Sequence, residues 1–271
     1  CKTQTTRNLQ QEGGGLYKAN CGFTLAEVLI TLSIIGIVAA MTLPSLIGRY
    51  QEKVTITQLK QTYSLLSQAF AMAVEENGTI DGWCPAESSY ELCTETIYNT
   101  ISKYIKIIRS CEVRSSYSGK DTCFAKEYSN RFNDTKWQTH QARSFVMING
   151  TAVTFDAHNG DGHPSLWCTA KLTGGSAYNG NCGSITVDIN SVRKPNVDGR
   201  DYFVFNIYKD GIAPRGRAVD TIWVHSFDSQ CLGKRYYEVP TGACTAWVLA
   251  LENMDYLRCD DLSWNGKTKC K

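Results

Sequence analysis

The chain has 271 residues, with 28 Lys and Arg against 26 Asp and Glu, a formal net charge of +2, and 42% hydrophobic residues. Its adjacent basic pairs, Arg193-Lys194 and Lys234-Arg235, are too short to neutralise a run of phosphates, so no nucleic-acid partner is expected. Twelve cysteines without a C-x-x-C pair argue against structural zinc and for disulfides in an oxidising, exported compartment.

Residues 1–22 carry Lys2, Arg7 and Lys18 against Glu12, a Gly13-Gly14-Gly15 run and many Gln, Thr and Asn residues, with no period that would fold. This reads as a basic leader that stays cytoplasmic. Setting it aside leaves 25 basic and 25 acidic side chains and ten cysteines. Cys21 precedes an apolar segment instead of following one, so lipidation is not expected.

Residues 23–47, FTLAEVLITLSIIGIVAAMTLPSLI, contain a single charged side chain, Glu27. At ~1.5 Å per residue, the ~20 residues from Val28 onward reach across a ~30 Å hydrocarbon core. The segment reads as one membrane-spanning helix. It is longer than the ~7–15-residue apolar core of a secretory signal peptide. Pro44 removes an amide donor from the helix interior, and a bend near Thr42 to Ser45 is expected.

The stretch CGFTLAEVLI resembles the prepilin cleavage site of the type IV pilin and type II secretion pseudopilin superfamily. In that family a glycine ends the leader, a phenylalanine opens the mature chain, and a glutamate follows four residues later. Gly22, Phe23 and Glu27 occupy those places, and Thr24, Leu25 and Ala26 match the common form. Gly36 and Pro44 fall where pilin helices carry a softening glycine and a kinking proline. The resemblance implies cutting by a prepilin peptidase after Gly22, N-methylation of the Phe23 amine, and pairing of Glu27 with the amine of a neighbouring pilin-like subunit in a helical filament. It also implies a single-pass inner-membrane precursor with an extracytoplasmic C-terminal domain, assembled into a periplasmic or cell-surface filament.

Beyond the span, Leu59, Tyr63, Leu66, Phe70 and Ala73 recur at helical spacing, which extends one amphipathic helix through residues 48–78. Asn77-Gly78 is its stop signal. Residues 79–271 form the exported globular, disulfide-rich α+β domain. Within it, Ile97 to Ile108 reads as a short helix with Ile97, Ile101, Tyr104, Ile105 and Ile108 on one side. Residues 111–140 read as an elaborated loop. Ser144 to Phe155 reads as a hairpin around Asn149-Gly150, a dipeptide that favours a type I′ turn. Further strands are expected at Ser184 to Ile189 and Asp201 to Tyr208, the second turning at Asp210-Gly211. A long helix followed by an antiparallel sheet is an α+β order and matches the pilin-like architecture.

The ten exported cysteines leave connectivity open. Nearest-neighbour pairing joins Cys84 to Cys93, Cys111 to Cys123, Cys168 to Cys182, Cys231 to Cys244 and Cys259 to Cys270. The histidines His140, His158, His163 and His225 show no ligand spacing with them. Asp156 to Gly162 fails the calcium-loop spacing of an EF-hand and reads as a turn. Asp188, Asn190, Asp198 and Asp201 have two readings. They supply several oxygens to one loop, as Ca²⁺ requires, or they form a tight loop whose side chains satisfy their own backbone. The second is the expectation, so no cofactor is assigned.

No G-x-S-x-G, H-E-x-x-H or phosphate-loop motif is present, and an enzyme is not expected. The leading functional reading is a structural subunit of a type II secretion pseudopilus or type IV pilus. Its mature length of 249 residues leans toward a minor or specialised one. The alternative is a membrane-tethered adhesin or glycan-binding module delivered by the prepilin route. Its ligand platform would draw on Trp83, Trp137, Trp167, Trp223, Trp247 and Trp264.

Overall fold

The computed structural model describes residues 23–84, 89–111, 123–132, 136–137, 143–157, 180–220, 225–234 and 242–270. The leader, Gly22, Cys168, three of the four histidines, the segment after Ala157 and the side chains of Trp137, Trp167 and Trp223 lie outside the described residues. The chain divides into two units, residues 1–50 and 51–271.

Helix α1, Leu25–Asn77, contributes to both units. In the first unit its surface is apolar and open: Ile30, Ile35 and Ile37 are about three-fifths exposed. The few hydroxyls there bond back to their own helix, Thr31 to the Glu27 carbonyl at 2.9 Å, Ser33 to Leu29 at 2.8 Å and Thr42 to Val38 at 2.9 Å. Polar groups are thereby satisfied without water, as a helix in lipid requires. Pro44 sits inside the helix, which continues through it.

In the second unit the expected apolar stripe is the buried face of α1. Leu59, Leu66, Phe70 and Ala73 are buried together with Ile56, Thr62 and Ala69, and Tyr63 stacks on Phe205 with ring centroids 5.3 Å apart. The face packs on an antiparallel sheet in the order β1-β4-β5-β6-β7-β8, with β1 Ile107–Cys111, β4 Ser144–Met147, β5 Ala152–Ala157, β6 Gly183–Asp188, β7 Tyr202–Tyr208 and β8 Gly211–Pro214. Two-residue strands β2 Tyr128–Ser129 and β3 Lys136–Trp137 pair separately, inside the segment expected to be loop. The fold is α+β.

Strand β7 explains why the sheet is buried on both faces. Phe203, Phe205 and Ile207 enter the main core with Val153, Phe155, Ile185 and Val187. Tyr202 and Val204, pointing the other way, join Val146, Ala152, Phe124 and Tyr128 in a second cluster. The period of two along an almost wholly buried strand feeds both layers.

Two local expectations are corrected. The helix near Ile97 is α2, Tyr90–Ile101, and it begins earlier because the Ser89 hydroxyl accepts from Leu92 N at 3.2 Å as an N-cap. After a 3₁₀ turn, Ser102–Tyr104, the β-branched residues Ile107 and Ile108 enter strand β1, where Ile108 is exposed instead of sharing the helix face. The β4–β5 turn is not type I′, which needs positive φ at both central residues. Here Gly150 alone among them is left-handed, with φ 85°, and Gly150 N bonds to the Met147 carbonyl at 2.9 Å while Met147 N bonds to Thr151 at 2.9 Å. This is a three-residue loop, a type I turn followed by a left-handed glycine.

Four expected disulfides are present: Cys84–Cys93, Cys111–Cys123, Cys231–Cys244 and Cys259–Cys270, separated by 9, 12, 13 and 11 residues. Closing loops of this size contributes on the order of 3 kcal/mol each in the chain-entropy picture. Cys182 is disulfide-bonded as well, and its expected partner Cys168 lies outside the described residues.

Candidate functional site

The helix opens at Thr24, between Phe23 and Glu27, the residues expected to begin the mature chain and to guide assembly. Glu27 Oε2 accepts from Thr24 N at 2.9 Å and from Thr24 Oγ1 at 2.8 Å, while Glu27 N donates to Thr24 Oγ1 at 3.3 Å. This is a reciprocal capping box, with Thr at the N-cap and Glu three residues on. Its carboxylate also lies at the positive end of the helix dipole. The Glu27 side chain therefore has a role within its own chain, one peptide unit from Phe23, whose side chain is open to the surroundings. The signal was legible as Thr24-Leu25-Ala26-Glu27, a capping-box spacing that the family resemblance overshadowed. A Cβ built on Gly36 meets nothing within 4 Å, so packing inside the chain does not require glycine there.

The loop after β6 brings Asp188 and Asp201 near one another but gives them different partners. Asp188 Oδ1 accepts from Asn190 N at 3.0 Å, and its Oδ2 accepts from the Tyr128 hydroxyl. Asp201 accepts from Asn196 N at 2.6 Å and Val197 N at 2.7 Å. Burial, and then the neighbouring Asp201, push the Asp188 carboxyl up to about 8, while burial lifts Asp201 to about 6. Asp198, also raised by burial to about 6, is drawn instead toward the Arg131 guanidinium. The oxygens of Asp188 and Asp201 are thus spent on backbone amides and a phenol. Among the described residues no group of three or more His, Cys, Asp or Glu side chains is arranged to hold a metal ion.

Arg131 is a structural centre that sequence reading missed. It donates to the Cys231 carbonyl, lies 3.6 Å from Cys244 Sγ, and stacks over the Phe132 and Tyr256 rings at 4.6 and 5.0 Å. Nothing in its local sequence marks it, because all its partners except Phe132 are distant in the chain. The C-terminal segment is tied to α1 as well: Arg258 grips Glu52 at 2.6 and 3.1 Å and Asp255 at 2.6 Å, and Lys60 pairs with Glu252. Of the six tryptophans, Trp83 and Trp247 are buried. Trp247 stacks on Phe227 with centroids 4.2 Å apart, and Trp264 lies 5.1 Å from Trp247. These three serve packing.

Comparison with known proteins agrees with the N-terminal geometry. Residues 17–43 match the model of the prokaryotic N-terminal methylation motif, so the chain carries a prepilin motif of the type IV pilin and pseudopilin kind and is pilin-like. No curated protein and no solved structure matches the chain. Residues 45–211, more than half of the chain, match the model of a second family, and the protein therefore belongs to that family of unknown function, DUF6613.

Proposed function

We propose that the protein is a structural subunit, minor or specialised, of a type II secretion pseudopilus or a type IV pilus. The observation that carries this reading is the prepilin motif opening a helix whose apolar window buries none of its residues within the chain. An apolar helical surface of that length needs lipid around it in the precursor and other helices around it after extraction. Prepilin peptidase cuts between Gly22 and Phe23, and Glu27 exchanges its Thr24 contact for the Phe23 amine of a neighbouring subunit. Gly36 and Pro44 supply helix flexibility. The sheet domain is displayed outside the cytoplasmic membrane, stapled by its disulfides. No catalytic role and no cofactor is assigned, and the loop from Asp188 to Asp201 serves as a structural turn.

The test is the intact mass of membrane-extracted protein, expressed with and without a prepilin peptidase, with Glu27→Ala scored in parallel for filament recovery. A chain starting at N-methylated Phe23, with Glu27→Ala cut but not assembled, supports the reading. An uncut chain, or one cut elsewhere, would overturn it; a cut chain that fails to co-assemble with pilin-like subunits while its exported domain binds a glycan specifically would favour the tethered adhesin instead.

A further inference from the structure

The exported sequence contains three N-x-S/T sequons, Asn77-Gly78-Thr79, Asn133-Asp134-Thr135 and Asn149-Gly150-Thr151. Such a sequon is an acceptor for N-linked glycans when it lies on an accessible surface of an exported protein. The three differ in accessibility, which bears on acceptor use. Asn149 Nδ2 donates to Thr62 Oγ1 at 2.9 Å under α1, and Thr151 is fully buried. Asn77 is the exposed last residue of α1, with Glu75 and Glu76 exposed beside it and Thr79 half-exposed beyond the helix. Asn133 lies outside the described residues.

Helix termination does not account for the whole sequon. The left-handed residue that ends α1 is Gly78, with φ 75°, and Asn77 is not among the residues of positive φ. Asn77 Nδ2 donates to the Ala73 carbonyl of its own helix at 2.9 Å and to the Tyr104 hydroxyl at 3.5 Å. A helix end does not need Thr79. Gly78 is fixed just past the cap by the Trp83 indole, which donates to its carbonyl at 2.9 Å. The sequon is therefore presented on an ordered, outward-facing turn.

We propose that Asn77 is an N-glycosylation site, modified after export by an oligosaccharyl transferase using a polyprenyl-pyrophosphate-linked oligosaccharide. Asn77 Nδ2 forms a bond to the anomeric carbon of the first sugar and gives up a proton. The bond from that carbon to the pyrophosphate oxygen breaks, and the lipid pyrophosphate leaves with the electron pair. The proposal rests on the export assigned above, and one measurement separates the two.

The experiment is intact and peptide mass analysis of the full chain extracted from its native host, for wild type and for Asn77→Gln, Thr79→Val and Asn149→Gln. The expected result is a sugar mass on the peptide containing Asn77. Asn77→Gln and Thr79→Val abolish it, and Asn149→Gln leaves it unchanged. Bare Asn77 in the wild-type protein overturns the proposal, as does a sugar mass that persists in Asn77→Gln. The same spectra report cleavage after Gly22, so a cut chain with bare Asn77 removes the glycan and leaves the filament reading standing.

Discussion

Gln58, on the buried side of α1, donates from Nε2 to the carbonyl of Asn149 at 2.9 Å and also to that of Ile189 at 2.8 Å. One amide thus closes the open ends of two connections, the β4–β5 turn and the exit of β6. Thr62, one turn further, is bonded to Thr151 Oγ1 at 3.0 Å and accepts from Asn149 Nδ2 at 2.9 Å. Apolar packing alone would let a helix slide along a sheet. These polar contacts fix its register, since a shift of one residue would strand several buried groups.

Gln58→Leu should therefore destabilise the domain even though it adds apolar area. Two part-buried carbonyls lose their donor, at a cost of roughly 1–3 kcal/mol. For a unit of this size that corresponds to a fall in melting temperature of about 2–4 °C per kcal/mol. Thermal unfolding of the detergent-extracted chain checks it. A variant as stable as wild type would mean that the apolar face sets the register unaided.

Arg131 and Arg258 each bridge distant segments, but burial separates their effects. Arg258 and Glu52 are partly open to water, and Arg258→Met should cost under about 1 kcal/mol, a difference that shrinks further in high salt. Arg131→Met leaves the part-buried Cys231 carbonyl without this donor, and should cost about 1–3 kcal/mol with little salt dependence. Denaturant unfolding at two ionic strengths distinguishes them. Equal losses would remove burial as the deciding factor.

Most of what the sequence made legible was periodic or local. The stripe Leu59, Tyr63, Leu66, Phe70 and Ala73 faces the core because helical spacing needs no knowledge of the partner surface. The strands ending at Asp188 and Tyr208 were legible in the same way, and four cysteine pairs close short loops. What stayed hidden depends on distant partners. Ile108 was assigned to a helix because its spacing from Ile101 and Tyr104 is helical, yet pairing of β1 with β4 places it in a strand. Asn149-Gly150 favours one turn type in isolation, while the Asn149 side chain and carbonyl are both recruited by α1. At the N-terminus one short stretch carries two signals, the processing motif and the capping-box spacing of Thr24 and Glu27.

The bond between Thr24 and Glu27 predicts a graded series at residue 24. Thr24→Ala removes one half of the capping box and should weaken the first helical turn by about 1 kcal/mol, whereas Thr24→Ser retains the hydroxyl. Both variants should still be cut after Gly22. Filament recovery should fall for Thr24→Ala, though less than for Glu27→Ala, because the carboxylate survives and keeps the backbone amide of residue 24 but loses the hydroxyl that also held it. Immunoblotting of sheared filaments against total processed protein measures this. Equal recovery from Thr24→Ala and wild type would confine the capping box to the isolated chain.

The buried carboxylates set the direction of the pH dependence. Asp188 is raised to about 8, and Asp156, Asp198 and Asp201 to about 6, in each case first by burial. A carboxyl with a folded pKa above its unfolded value near 4 keeps a proton in the folded chain that the unfolded chain releases. Its contribution is complete below about pH 4 and is lost as pH rises through the folded value. Stability should therefore decline from about pH 4 to 6 as three groups ionise, and decline further toward pH 8 as Asp188 does. The partly exposed Asp81 and Asp255 are shifted downward and act only at the acid end, where their loss of charge opposes the trend. Asp188→Asn should flatten the segment between pH 6 and 8, because the amide keeps a hydrogen-bonding group beside Tyr128 without the titration. Melting temperatures across that range, for wild type and Asp188→Asn, decide it. A wild-type curve that rises with pH would show that Tyr128 and the Asn190 amide stabilise the Asp188 anion by more than its burial costs.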